Sequence, residues 1–254
     1  MPWLPGDYLR NQRKPNWCPG CGNYAILVAL RQALCDQQID PASVVIVGGI
    51  GCGANLPYWM DTYGLIALHG RAIPTAAGVK LANPKLHVIV IAGDGDTYGI
   101  GLGHFLHAIR SDVNITLLVC NNGVYGLTKG QASPTAKKGQ VTSSTPRGLL
   151  YDPLNPLALA ITAGCRFVAR GYAGNADQLA DLMKQALNFN GLAYIDILQP
   201  CVKYNKNFGY QYYQDRVVDL QKIAHPVQNR AKAWEVALGA EDKIPTGIFF
   251  LESK

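Results

Sequence analysis

Hydrophobic positions along the chain follow two rhythms. Short β-branched and aliphatic runs at Ser43–Val47, His87–Ala92, Ile115–Cys120, Arg166–Ala169 and Ala193–Leu198 read as strands. Between them, apolar residues recur at helical spacing over Asn23–Asp36, Ala72–Leu81, Gly99–Arg110, Pro153–Thr162 and Ala176–Phe189, which are expected to be helices. Apolar strands alternating with helices are the pattern of βαβ units. The expected class is therefore α/β, a mostly parallel twisted sheet with helices on both faces. Asp152 followed by Pro153 is expected to open the fourth helix, because Asp caps free N–H groups and Pro suits the first turn. Residues 121–150 are rich in Gly, Ser, Thr and Lys without periodicity and read as a loop long enough to carry a function. From Val202 to Tyr213, five Tyr or Phe stand among Lys, Asn and Gln, and a charged segment follows. Residues 215–254 are expected to be an extension that packs on a partner subunit, outside a main domain of residues 1–214.

Composition narrows the function. Apolar runs such as Val44–Val47 and Val88–Ala92 are far shorter than the roughly 20 residues of a membrane span, and Met1–Lys14 has no apolar leader core. A cytoplasmic chain without membrane contact is expected. The net charge of +6 favours anionic partners, but no basic run exceeds Lys137-Lys138, which argues against nucleic acid. Seven cysteines are an odd number in a chain of 254 residues, too large to need disulfide staples, so thiols and metal ligands are expected. Fourteen Asp stand against three Glu, at positions 235, 241 and 252. Chemistry that needs a core glutamate must borrow it from another chain.

Three constellations carry chemistry. Gly93-Asp94-Gly95-Asp96 follows the second strand, and Asn121-Asn122 ends the third. Ligands of open α/β sheets sit beyond the carboxyl ends of strands, so Asp94 and Asn122 are expected to meet in one crevice. Two oxygen ligands there suit Mg²⁺, and the glycines let backbone and a helix N-terminus approach a diphosphate. A bare Gly-Asp-Gly is common turn chemistry, but the strand context and the Asn pair shift the balance. With Val124 offering a carbonyl, the spacing matches the signature of thiamine diphosphate enzymes. The second constellation is Cys18-Pro19-Gly20-Cys21, with Cys52 after the first strand and Cys201 after the last. Four thiolates mean zinc or a [4Fe–4S] cluster, and spacing leaves both open. Cys35, Cys120 and Cys165 read as small buried hydrophobes. The third is His69-Gly70-Arg71, a loop closing on a helix that could present a cation and an imidazole to phosphate. His104 and His107 read as packing or polar contacts, since no third ligand accompanies them. Gly49-Ile50-Gly51-Cys52-Gly53-Ala54 satisfies a dinucleotide-binding fingerprint formally, but Pro57 blocks the helix that such a site requires.

Taken in order, these blocks resemble the thiamine-diphosphate-binding β subunit of the 2-oxoacid:ferredoxin oxidoreductases. The resemblance rests on Trp17-Cys18-Pro19-Gly20-Cys21-Gly22-Asn23, Gly49-Ile50-Gly51-Cys52, Leu68-His69-Gly70-Arg71-Ala72-Ile73-Pro74, Gly93-Asp94-Gly95-Asp96 and the run from Val124 to Thr135, and reaches to about Cys201. It implies that residues 1–214 form a thiamine diphosphate and [4Fe–4S] domain with Cys18, Cys21, Cys52 and Cys201 as cluster ligands. It implies Mg²⁺ held by Asp94, Asn122 and the Val124 carbonyl. His69, Gly70, Arg71, Gly95 and Asp96 would line the diphosphate and thiazolium, with Ile50, Gly51 and Cys52 nearby and Gly93, Tyr125, Gly126, Leu127 and Thr128 completing the cofactor-binding set. His69, Arg71 and Asn55 are the candidate catalytic positions. Asn55 stands where some relatives carry a basic residue. The resemblance further implies an α subunit that supplies the pyrimidine-contacting glutamate and an αβ dimer of dimers. The implied activity is coenzyme A-dependent oxidative decarboxylation of a 2-oxoacid, with electrons passing through the cluster to ferredoxin. The segments Ala54–Trp59 and Pro245–Phe249 resemble the 2-oxoglutarate members; pyruvate or branched-chain members and a non-redox thiamine diphosphate decarboxylase are the alternatives.

Overall fold

Strand residues alternate between two buried faces, and that alternation fixes where every helix goes. The computed structural model describes residues 2–10, 14–239 and 242–252. Among these the strands are β1 (Val44–Gly48), β2 (Tyr63–Ile66), β3 (His87–Gly93), β4 (Thr116–Asn121), β5 (Val124–Tyr125), β6 (Gln131–Ala132), β7 (Phe167–Tyr172), β8 (Ala193–Leu198), β9 (Val217–Asp219) and β10 (Ile244–Leu251). The helices are α1 (Asn23–Asp36), α2 (Ala72–Ala82), α3 (Leu102–Ser111), α4 (Pro156–Thr162), α5 (Ala176–Leu187), α6 (Tyr210–Gln214) and α7 (Arg230–Leu238). Eight strands form one sheet in the order β2-β1-β3-β4-β8-β7-β10-β9, and β5 pairs with β6. Every pair in the large sheet is parallel except β10 with β7. One face, with Ile46, Ile89, Leu118 and Ile195, packs on α1 and α5; the other, with Val45, Val90, Leu117 and Tyr194, packs on α2, α3, α4 and α7. The α/β class with helices on both faces is what the sequence periodicity predicts. No helix among the described residues is long and apolar enough to cross a membrane.

Several local expectations are corrected. Asp152-Pro153 does not start α4. Asn155 does, its side chain accepting from the Ala158 N–H at 3.1 Å, with Pro156 in the first turn. Asp152 instead pairs with Lys138 on the surface. The third predicted helix begins at Leu102, because Gly95–Ile100 form a π-type turn that Gly99 interrupts. The loop of residues 121–150 contains the β5–β6 hairpin. The segment from residue 215 supplies β9, α7 and β10, with β10 lying along β7. Glu241 lies outside the described residues. Gly53–Tyr58 form a 3₁₀ turn containing Pro57, so no α-helix follows the glycine fingerprint.

At the centre of the sheet, Asp196 of β8 is 0% exposed. Its Oδ1 accepts from the Tyr98 hydroxyl at 2.9 Å and the Asn121 Nδ2 at 3.0 Å, and its Oδ2 accepts from Arg170 Nε at 3.1 Å. Tyr98 and Tyr194 share a 2.5 Å hydroxyl contact beside it. A charge this deep is tolerated only when fully paired. Asp196→Ala is expected to lower the unfolding free energy by about 3–5 kcal/mol, because it strands Arg170, and Asp196→Ala/Arg170→Met should recover much of that loss in urea denaturation. Burial, reinforced by Asp196, holds the Tyr98 and Tyr194 phenols well above their ordinary range. A phenol that stays neutral in the fold but ionises in the unfolded chain contributes stability that is intact below about pH 10 and lost as pH rises. In Tyr194→Phe the decline of unfolding free energy above about pH 10 should be shallower by about 1.4 kcal/mol per pH unit, measured by urea titrations from about pH 9 to 11.

Candidate functional site

The parallel strands deliver their carboxyl ends to one rim, and the candidate residues follow those ends. Gly93 and Asp94 lie at the end of β3, Asn121 and Asn122 at the end of β4, and Gly49 to Cys52 beyond β1. The chain departs from β1 toward β2 on one side and returns to β3 on the other. This reversal opens the crevice in which α/β sheets bind ligands.

Asp94 is buried, and its Oδ2 accepts from Ser133 Oγ at 2.5 Å, Thr135 Oγ1 at 2.6 Å and the Gly123 N–H at 3.2 Å. Burial pushes its carboxyl above the usual range; hydrogen bonds from Ser133, Thr135 and the Gly95 N–H act against that, and Asp196 adds to it. Thr135 Oγ1 also lies 2.8 Å from Asn121 Oδ1, linking Asp94 to the buried Asp196 group. Asn122 Oδ1 accepts from the Val124 N–H at 3.1 Å, and the Asn122 carbonyl accepts from Asn205 Nδ2 at 2.6 Å. Asp94, Asn122 and Val124 are thus joined through Gly123 at neighbouring strand ends, an oxygen-donor set of the kind that suits Mg²⁺.

The His69 loop is tied down by Asp96, not Asp94. Asp96 Oδ1 meets His69 Nδ1 and accepts the Gly70 N–H at 2.7 Å, where Gly70 takes a φ of +70°. Across the crevice, Asp96 Oδ2 lies 1.9 Å from where a Cβ on Gly49 would stand, so only glycine lets the end of β1 approach. Tyr125 donates to the Gly95 carbonyl at 3.2 Å, and its ring packs edge-on to His69. Arg71 is exposed at the start of α2, its guanidinium turned back to the Gly70 carbonyl at 3.4 Å. Ile50, Leu127 and Thr128 are exposed at the mouth, and Gly51 and Gly93 are half-buried.

Beside this crevice lies a cavity of about 260 Å³ lined by Cys18, Cys21, Cys52 and Cys201 together with Asn55, Asn122, Gly126, Leu127 and Gln199. All four candidate cluster cysteines therefore share one space with residues of the candidate cofactor set. A Cβ on Gly126 would stand 3.7 Å from the Cys52 sulfur and 3.9 Å from that of Cys201. Burial pushes the Cys21 thiol up to about 11, the Asn23 N–H acts against this, and Cys201, Cys52 and Cys18 raise it further. The Cys52 thiol is raised by burial and by Cys201 and Cys18. Thiolates set this close repel one another, and a cationic core among them would relieve that repulsion. The buried Asn23 carboxamide, next in sequence to Cys21-Gly22, has no hydrogen-bond partner. Among the described residues no three His, Cys, Asp or Glu side chains converge as on a single metal ion. The four cysteines border one cavity, a donor set of the type that [4Fe–4S] clusters use. Cys35, Cys120 and Cys165 are buried, His104 is half-buried and His107 exposed.

Sequence reasoning missed Ser133, Thr135, Asn205 and Gln199 as site residues. The first two fall within the loop block already singled out, but short hydroxyls in a Gly- and Ser-rich loop look solvated until Asp94 is placed against them. Gln199 and Asn205 bear no local signal. Gly49→Ala is expected to cost about 1–3 kcal/mol of stability in urea denaturation. It should also weaken thiamine diphosphate binding in equilibrium dialysis, because the new methyl displaces the carboxylate that holds His69 and Gly70.

Comparisons with known proteins place the chain in one family. Residues 49–197 match the thiamine pyrophosphate enzyme C-terminal TPP-binding domain, and residues 201–254 match the C-terminal family of pyruvate ferredoxin oxidoreductase beta subunits. The chain is 44% identical over 246 residues to 2-oxoacid:ferredoxin oxidoreductase 1 subunit beta of Aeropyrum pernix, covering 93% of this chain and 77% of that one. It is 47% identical over 247 residues to the corresponding beta subunit of Saccharolobus solfataricus, covering 92% and 81%. Among solved structures, the 2-oxoglutarate:ferredoxin oxidoreductase from Magnetococcus marinus, with 2-oxoglutarate, coenzyme A and succinyl-CoA bound, superposes with a TM-score of 0.96 at 38% identity, covering 99% of this chain and 86% of that one.

Proposed function

From the premise that this chain belongs to the β-subunit family of the 2-oxoacid:ferredoxin oxidoreductases, we propose that it binds thiamine diphosphate, Mg²⁺ and one [4Fe–4S] cluster and serves the oxidative decarboxylation of a 2-oxoacid, 2-oxoglutarate first. The observation that carries the reading is the shared cavity: four cysteines line one space with Asn122, Gly126 and Leu127, so an electron donor and an electron acceptor would sit side by side. The balanced reaction converts a 2-oxoacid anion and coenzyme A thiol into acyl-CoA, CO₂ and one proton, with two electrons passed singly to two ferredoxins. Thiamine diphosphate, when bound, would supply a nucleophilic carbon and an electron sink for the 2-oxo carbon, and a cluster held by Cys18, Cys21, Cys52 and Cys201 would supply one-electron redox chemistry beside it.

The chain's own residues do the positioning. Asp94, Asn122 and the Val124 carbonyl would hold Mg²⁺ and the diphosphate, and Gly93, where a Cβ would meet nothing within 4 Å, leaves room for its approach, while Gly95 lets the Tyr125 ring pack against the turn. His69, held by Asp96, points an imidazole into the crevice, while Gly70 and Arg71 offer a backbone donor and a cation. Gly51, Tyr125 and Gly126 line the crevice, with Ile50, Leu127 and Thr128 at its mouth. Cys18, Cys21, Cys52 and Cys201 hold the cluster. Asn55, in the cysteine cavity, is the candidate contact to substrate. No glutamate lies in the chain before position 235, which supports an α subunit as the source of the pyrimidine-contacting carboxylate, with the active site at the α/β junction of an αβ dimer of dimers. The +6 charge suits an acidic ferredoxin, and the 2-oxoglutarate and coenzyme A bound by the Magnetococcus marinus enzyme support the same substrates here. A cytoplasmic site of action, and residues 215–254 as a segment that also meets a partner, belong to the same reading.

Anaerobic co-expression with an α chain tests this proposal. About four irons and four sulfides per β chain, bound thiamine diphosphate and coenzyme A-dependent reduction of methyl viologen by 2-oxoglutarate are expected. Activity with pyruvate alone would overturn the substrate, and zinc in place of iron would overturn the redox reading. Asp94→Asn should keep its iron but lose Mg²⁺ and thiamine diphosphate affinity by more than the about 10- to 100-fold that loss of an outer-shell partner costs.

A further inference from the structure

One buried side chain touches both candidate centres. Gln199, 1% exposed, lies just past β8, and its N–H donates to the Asn121 carbonyl at the end of β4 at 2.8 Å. Its Nε2 donates to Cys21 Sγ at 3.3 Å and to the Pro200 carbonyl at 3.1 Å. Its Oε1 accepts from Asn122 Nδ2 at 2.7 Å. The other groups around it leave this arrangement no alternative. Asn122 Oδ1 is committed to the Val124 N–H, so Asn122 must turn its NH₂ toward Gln199. Gln199 must answer with its oxygen, which turns its own NH₂ toward Cys21 and toward a carbonyl that can only accept. Gly22 makes room for the side chain: a Cβ there would stand 3.1 Å from Gln199 Cγ.

We propose that Gln199 is a positioning residue that couples the cluster to the metal-diphosphate site. The inference rests on the cofactor set proposed above and adds what connects its two parts. An N–H donated to a ligand sulfur stabilises the more electron-rich, reduced cluster and raises its potential. The same carboxamide holds the Asn122 amide group in place, so that its oxygen, besides accepting from Val124, would have a fixed position from which to serve the metal, as outer-shell partners provide. Hydrogen bonds in series polarise one another, so a change of charge at Cys21 is felt at Asn122 through a single amide.

Two substitutions separate the arms. Gln199→Glu keeps an acceptor for Asn122 but replaces the sulfur's donor with an anion. Gln199→Leu removes both. In the αβ complex, the cluster midpoint potential is read by EPR-monitored redox titration and the Mg²⁺ dissociation constant by equilibrium dialysis with thiamine diphosphate in excess. The expected result is a lower potential in both variants. Mg²⁺ affinity should stay within about twofold of wild type in Gln199→Glu and fall at least about tenfold in Gln199→Leu. A wild-type potential in either variant, or wild-type Mg²⁺ affinity in Gln199→Leu, would overturn the coupling. If neither variant retains iron, Mg²⁺ binding decides alone: weakened in Gln199→Leu and kept in Gln199→Glu supports the proposal, and any other pattern overturns it. A wild-type complex without iron and sulfide would overturn the cofactor reading itself.

Discussion

A carboxylate without access to water stands in the middle of the sheet, and the polar geometry around it follows from satisfying Asp196. Three donors answer it, from the π-type turn after β3, from the end of β4 and from β7. Two of these donors fix elements that carry site residues. Tyr98 anchors the turn that displays Asp94 and Asp96, and Asn121 anchors the strand end that displays Asn122. Asn121 reaches Thr135, and Thr135 reaches Asp94, so the oxygen that would face a cation is referenced to the rigid core and not to the loop that carries it. Precision at the rim is inherited from a charge that cannot be left unpaired.

The two apolar faces explain why so much of the fold was legible. Val44 to Val47 and Val88 to Ala92 are continuous apolar runs because both of their faces are covered, and such runs flanked by helical periodicity leave few architectures open. What escaped notice lies where burial is shallow or the signal is not local. β2 is short and partly exposed. β10 contains Pro245 and Gly247, which read as loop residues, although Pro245 is accommodated in the parallel pairing with β9 and Gly247 in the antiparallel pairing with β7. Asn155 displaced Asp152 as the cap of α4 because two Asx-Pro pairs stand within five residues, and packing chose the second.

The candidate site divides in the same way. Asp94, Asn122 and the four cysteines were legible because strand ends and Cys-x-x-Cys spacing convert sequence directly into position. Ser133, Thr135 and Gln199 were not, since their significance arises only when segments distant in sequence meet. Gln199 and Cys21 are 178 positions apart. The side chains that bind chemistry announce themselves by type, whereas those that hold them in place are ordinary amides and hydroxyls.

The antiparallel seat of β10 has a consequence during synthesis. β7 joins β8 on one side, but its other edge pairs only with residues 247–251. Until the ribosome has passed that stretch, the nascent domain exposes an unpaired strand edge of the kind that recruits foreign strands. Completion of this edge of the sheet therefore comes after Cys201 has emerged. A nascent chain stalled short of β10 would present all four candidate cluster cysteines on a sheet still open to aggregation.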